Sequence, residues 1–248
     1  MKINWKAAAS LAIAILLWAA ISDVGIVQKS LFPGPEKVLD AAIEWCAGGR
    51  MAEDVFSSLW RITAGIIIGS VIGVGAGLLT GRIVLLEESV GPLFHMLRAF
   101  PPVAMVPLVI LWFGIGDTAK VFSISFAVFF TAWLSALIGT KAINSDYIKT
   151  AKVFSKSAKE TYEKVIFPAI VPFIVNGIRV WIGTTYTLVF VSEMAGASSG
   201  IGYQIAISQI TYRADMMIAG LLVLGILAYS TDFFFVALSR RVFHWADL

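Results

Sequence analysis

LWRITAGIIIGSVIGVGAGLLT, residues Leu59 to Thr80, is the stretch on which the fold turns. Its 22 residues contain one charge, Arg61, close to the start. About 20 apolar residues in a helix cross a hydrocarbon core of about 30 Å with every backbone amide paired inside the helix. Gly65, Gly69, Gly73 and Gly77 recur every fourth position, so they share one helix face and let a neighbouring backbone come close. A packing seam within one chain explains that stripe more simply than a contact between two chains.

Working outward, the same texture covers all 248 residues: 58% are hydrophobic, only 14% are charged, and mean hydropathy is +0.85. A water-soluble domain could not bury so much apolar surface. Six stretches qualify as spans: Ala7 to Val27, Leu59 to Thr80, Val103 to Gly116, Ala119 to Thr140, Ala169 to Val191 and Met216 to Leu238. The third is short and is extended back to begin near Phe100. With no linker between them, residues 1–248 are expected to form one all-α membrane domain.

The first stretch follows Lys2 and Lys6 but is too long for a signal-peptide core and has no clean small-x-small cleavage site, so it is read as retained. With six spans and the N-terminus inside, twelve Lys and Arg fall on the inner side and five on the outer, with Arg61 and Arg179 inside spans. That excess predicts cytoplasmic termini. The outer segment after Pro33-Gly34-Pro35 places Val38, Leu39, Ala42, Ile43 and Trp45 at helical spacing, predicting an amphipathic helix on the membrane surface. Leu86 to Arg98 predicts a second short helix on the inner side, stopped at Pro101-Pro102.

Chemistry has few residues to stand on. One cysteine, Cys46, and two histidines, His95 and His244, offer neither a disulfide framework nor a metal cage. There is no P-loop, no H-E-x-x-H and no G-x-S-x-G, so no enzyme and no resident cofactor is expected; any ATP hydrolysis belongs to another subunit. The basic residues are too dispersed to track nucleic acid. Ionisable residues inside spans are functional by default. Arg61 and Asp232 lie near span ends and are expected to snorkel outward. Arg179 is deeper and either faces a cavity or pairs with a carboxylate. Glu193 opens the small-residue run Glu193 to Gly202, read as a bent backbone lining a cavity or as a plain outer turn.

Residues Lys141 to Pro168, KAINSDYIKTAKVFSKSAKETYEKVIFP, differ in kind. Tyr147, Ala151 and Phe154 form one helical face, and Ala158, Tyr162, Val165 and Ile166 another. Ser155 and Ser157 lie between, where hydroxyls end the first helix and cap the second. Six lysines hold this loop at the inner surface, and its aromatic residues exceed what a solvated loop needs.

This loop resembles that of the permease subunits of binding-protein-dependent ABC importers, with the pattern E-A-A-x3-G-x9-I-x-L-P. Aligned on Pro168, the positions read Lys149, Thr150, Ala151, Ser155, Val165, Phe167 and Pro168; Ala151 and Pro168 match literally. Arg98-Ala99-Phe100-Pro101-Pro102-Val103-Ala104, Pro107 to Gly116 and Glu193 to Tyr203 look like the sulfonate, taurine, nitrate and bicarbonate branch. The resemblance covers nearly the whole chain. It implies a MetI-like ABC permease fold in the cell inner membrane, working as a homodimer with an ABC ATPase subunit beneath and an extracytoplasmic substrate-binding protein above. The loop within 141–168 would hold the coupling helix, with Ala151, Ser155, Lys156, Ser157, Ala158 and Pro168 at the ATPase. Arg179, Glu193, Met194 and Ser198 would line the pathway of a small anion. A permease for a heterocyclic vitamin precursor is the alternative; a secondary transporter, which needs a relay of intramembrane carboxylates, and an assembly subunit, which needs no such loop, fit less well.

Overall fold

The computed structural model describes residues 5–25, 28–155 and 157–245, and every regular element among them is helical. In chain order these are α1 (Trp5–Val24), α2 (Pro35–Ala47), α3 (Arg50–Arg82), α4 (Val84–Arg98), α5 (Pro102–Phe113), α6 (Asp117–Ala142) and α7 (Ser145–Phe154). Then come α8 (Ala158–Thr161), a π turn (Tyr162–Ile166), α9 (Phe167–Met194), α10 (Ile201–Ile210) and α11 (Ala214–Val242).

The centre of the bundle is α6. Of its most apolar stretch 56% is buried inside the chain, against 6% for α11, so α6 is enclosed while α11 turns its apolar side chains outward. The glycine stripe explains why α3 packs on α6 so closely. A Cβ at Gly69 would stand 2.5 Å from the carbonyl oxygen of Ser125, and at Gly73 and Gly77 2.4 Å from those of Phe129 and Trp133. Only hydrogen fits there, so the stripe is a seam within one chain, as its spacing predicted. Ile62, Val106, Ile124, Val128, Ile182 and Leu188 extend this core to α5 and α9.

A second, smaller core joins Val38, Ala41 and Trp45 of α2 to Ile201 and Ile205 of α10 and Met216 and Ala219 of α11. The amphipathic helix predicted after Pro35 therefore exists, but part of its apolar face is buried against protein; Leu39 and Ile43 remain exposed. At the α10–α11 corner, Arg213 grips Glu44 of α2 through two hydrogen bonds of 2.8 and 2.7 Å. Those bonds hold the Glu44 carboxyl below the usual carboxylate range.

Four helices have the length and apolarity of a full crossing: α3, α6, the continuous run Lys159–Met194, and α11. α1 rests on the α2 region through Trp18 Nε1 donating to the Pro33 carbonyl at 3.1 Å. The predicted third span departs from expectation. α5 has only 12 residues, about 18 Å, too short to cross alone. It pairs with α4 across a 97° bend, and only together do the two have the length and apolarity of one span, broken or re-entrant. Pro101 and Pro102 account for the break, because neither supplies the amide that would continue the ladder. α4, expected as a short helix on the inner side, starts beside the last turn of α6, where Glu87 pairs with Lys141, and runs along α6 until Phe94 packs on Phe129, Phe130 and Trp133.

Candidate functional site

Two regions gather the polar and exposed groups: a charged knot at the end of the bundle where α6 starts, and the loop at the opposite end. The knot is assembled by α10, a ten-residue helix whose first amides have no intrahelical partners. Gly200 N donates to Asp54 Oδ1 at 2.8 Å, Ile201 N to Ser58 Oγ at 3.0 Å, and Gly202 N to Glu193 Oε2 at 2.8 Å. Two carboxylates and a hydroxyl thus cap the positive end of α10. Gly200, at φ +122°, makes this approach possible; a Cβ there would meet Glu193 Cδ at 2.4 Å.

Burying these carboxylates requires cations, and α3 and α6 supply them. Arg61 donates from Nη1 to Glu193 Oε1 at 2.6 Å and to the Ser199 carbonyl at 2.8 Å, and from Nε to Asp117 Oδ1 at 2.8 Å. Ser58 Oγ donates to Glu193, Trp45 Nε1 donates to the second oxygen of Asp54, and Lys120 Nζ donates to the carbonyls of Ile115, Gly116 and Gly196. Glu193 is 0% exposed, Asp54 1% and Arg61 3%. The expectation that Arg61 snorkels is therefore overturned: it turns inward because Glu193, 132 positions away in sequence, waits for it. Saturated in this way, the knot ties α2, α3, α6, α9 and α10 into one end-plate and has no unused donor for a passing anion.

The other residues expected along the pathway are dispersed. Met194 is half-buried, and Ser198 is exposed on the turn before α10. Arg179 is far from the knot and pairs with Asp232 of α11, Nε to Oδ1 3.2 Å, so Asp232 too has a partner within the bundle. Asp54, Asp117 and Lys120 were not singled out from sequence; their nearness to predicted span ends on one side of the membrane was the available signal.

At the loop end, α7 begins at Asn144, whose side chain accepts from Asp146 N at 2.9 Å, and ends at Ser155, whose extended backbone (φ −90°, ψ 138°) turns the corner. Ser157 Oγ then accepts from Glu160 N at 3.2 Å and caps the second helix, as its position predicted. Ala151 is buried at 9% exposure and supports the corner from inside. Ser155 and Pro168 are half-buried and Ser157 is exposed; Ala158 opens α8, and Lys156 lies outside the described residues. What projects outward is apolar: Val153 at 80%, Phe154 at 82% and Tyr147 at 69%. Val153 was missed because it falls outside the helical face read from sequence.

The chain matches known proteins over most of its length. Residues 65–244 fit the model of the binding-protein-dependent transport system inner membrane component. A probable ABC transporter permease protein of Brucella abortus (strain 2308) is 30% identical over 96% of this chain and 94% of its own. The putative aliphatic sulfonates transport permease protein SsuC of Bacillus subtilis (strain 168) is 29% identical over 95% of this chain and 86% of its own. The taurine transport system permease protein TauC of Escherichia coli (strain K12) is 26% identical over 95% and 88%. In fold, the chain is similar to an inward-facing structure of the MetNI methionine ABC transporter, with a TM-score of 0.67 and 21% identity, covering 79% of this chain and 97% of that one. These matches settle the family: the chain belongs to the binding-protein-dependent transport system inner membrane component family, as a transport subunit.

Proposed function

We propose that two copies of this chain form the membrane pathway of an ATP-driven importer for a small anion such as a sulfonate, taurine, nitrate or bicarbonate. An extracytoplasmic binding protein delivers the cargo to the knot end, and ATPase subunits dock on the loop end. Both termini and the loop with its six lysines then face the cytoplasm, in keeping with the excess of positive charge there. Residues 1–248 act as one permease domain.

The observation that carries this reading is the knob at the corner of α7 and α8. Val153, Phe154 and Tyr147 stand out of a lysine-rich surface while Ala151 and the Asn144 and Ser157 caps fix the backbone beneath them. Large apolar side chains held rigidly amid charge are the anchors of a protein interface. ATP closure of the ATPase pair would carry the docked corners with it and open the pathway outward; hydrolysis would reset it. The similarity to permeases named for sulfonates and taurine supports an anionic cargo.

The test is a reconstituted transporter carrying Phe154→Asp or Val153→Asp. The expected result is a loss of uptake of about tenfold or more, the equivalent of about 1.4 kcal/mol or more at the interface. ATPase activity would cease to respond to loaded binding protein, at normal permease levels in the membrane. Undiminished uptake would remove the coupling role of the knob.

A further inference from the structure

Arg98 ends α4 at the break in the third span. Its depth follows from its neighbours. Glu87 in the first turn of α4 pairs with Lys141 in the last turn of α6, and two turns on Phe94 packs against Phe129, Phe130 and Trp133. Arg98, a turn further, shares a cavity of about 200 Å³ with Phe100, Phe126, Phe130, Thr131 and Trp181. Phe126 and Thr131 lie roughly 14 to 21 Å along α6, a helix of about 39 Å, so the cavity sits near mid-membrane.

Three basic side chains within the bundle have partners: Arg61 holds Glu193 and Asp117, Lys120 holds three carbonyls, and Arg179 holds Asp232, whereas Arg98 is exposed at the mouth of its cavity. Among the described residues Arg98 has no carboxylate or carbonyl partner. An unpaired guanidinium at this depth is costly in hydrocarbon and is tolerated where it meets water or a ligand. The backbone breaks at the same level, and irregular backbone at mid-depth belongs beside a cavity. A cavity of about 450 Å³ between α3, α9 and α11 has no charged side chain in its lining, and the knot is saturated.

We infer that the cavity at the α4–α5 break binds the anionic head of the cargo, an inference that rests on the anion-import reading above. Arg98 offers a planar fork of donors to the oxygens of a sulfonate, nitrate or carboxylate. Thr131 adds a hydroxyl, and Phe100, Phe126 and Trp181 wall a short carbon chain. At about 200 Å³ the cavity has room for a small solute.

The test uses the whole transporter, with its ATPase and binding protein, in proteoliposomes, and taurine, nitrate and bicarbonate as probes. Arg98→Ala is expected to lower uptake of the transported probe by about tenfold or more, with Arg98→Lys recovering part of it. Loaded binding protein should still stimulate ATP hydrolysis in both; Arg98→Gln replaces Arg98→Ala if the latter does not assemble. A second measurement needs no cargo. In a Cys46→Ser background, Thr131→Cys is reacted with a sulfonate-bearing and a trimethylammonium-bearing methanethiosulfonate. Removing the Arg98 charge should lower the ratio of the anionic to the cationic rate roughly threefold or more. Full uptake in Arg98→Ala, or an unchanged ratio, overturns the site and leaves the importer reading in place. A wild-type transporter that moves none of the three anions overturns that reading, and the site with it.

Discussion

At the residue scale, Arg61 and Glu193 show how a membrane protein places charge where it is expensive. Each depends on the other, and both depend on the α10 amides and Ser58 to satisfy what remains. Removing one partner strands the other, at a cost of about 3 to 5 kcal/mol. Arg61→Ala and Glu193→Leu should therefore each lower the unfolding temperature in detergent sharply. The double variant Arg61→Met with Glu193→Leu should lose less than the sum of the single losses. Additive losses would mean that the pair is not coupled. Sequence could place both residues near span ends but not join them, since the separation of 132 positions carries no periodic signal. The isolated view of Arg61 led to solvent; its partner lay inward. Arg98 has the opposite history, visible as part of a motif yet without a depth until α4 was seen to climb into the bundle.

At the scale of elements, the α3–α6 seam was the most legible feature, because a four-residue repeat of glycine has one geometric meaning on a helix. Gly73→Ala puts a methyl within 2.4 Å of a backbone oxygen that cannot step aside, so a loss of about 1 to 3 kcal/mol is expected. Gly75, on the same helix with open space around it, is the control: Gly75→Ala should be neutral or gain up to about 1 kcal/mol from helix propensity. Thermal unfolding of the two variants side by side decides this; equal losses would show that backbone flexibility and not the seam is at stake. The broken span was less legible. Pro101-Pro102 announces an end to one helix but says nothing of the angle at which the next begins, and that angle depends on Phe94 finding its aromatic neighbours on α6. Likewise the amphipathic pattern of α2 identified an apolar face correctly and assigned it to lipid, because the facing surface comes from α10 and α11, more than 150 residues later.

For the whole molecule, orientation is the property from which the partners' positions follow, and the chain contains its own reporter. Cys46 is exposed near the C-terminal end of α2, on the knot side of the bundle. A membrane-impermeant maleimide should label it in intact cells. A Ser157→Cys substitution in a Cys46→Ala background should be labelled only after permeabilisation. The reverse pattern would place the basic loop outside and remove the ATPase from its proposed seat.

One feature of the fold joins its two ends. From Lys159 the helix runs without interruption through the π turn to Met194, 36 residues and about 54 Å. The corner of α7 and α8 sits at its base and Glu193 at its tip. Such a beam is a lever arm: a tilt of about 5° at the base sweeps the tip through an arc of about 5 Å over that length. The tip is bolted by Glu193 to Ser58, Arg61 and Gly202, so the arc cannot be travelled by α9 alone, and α3 and the start of α10 must swing with it.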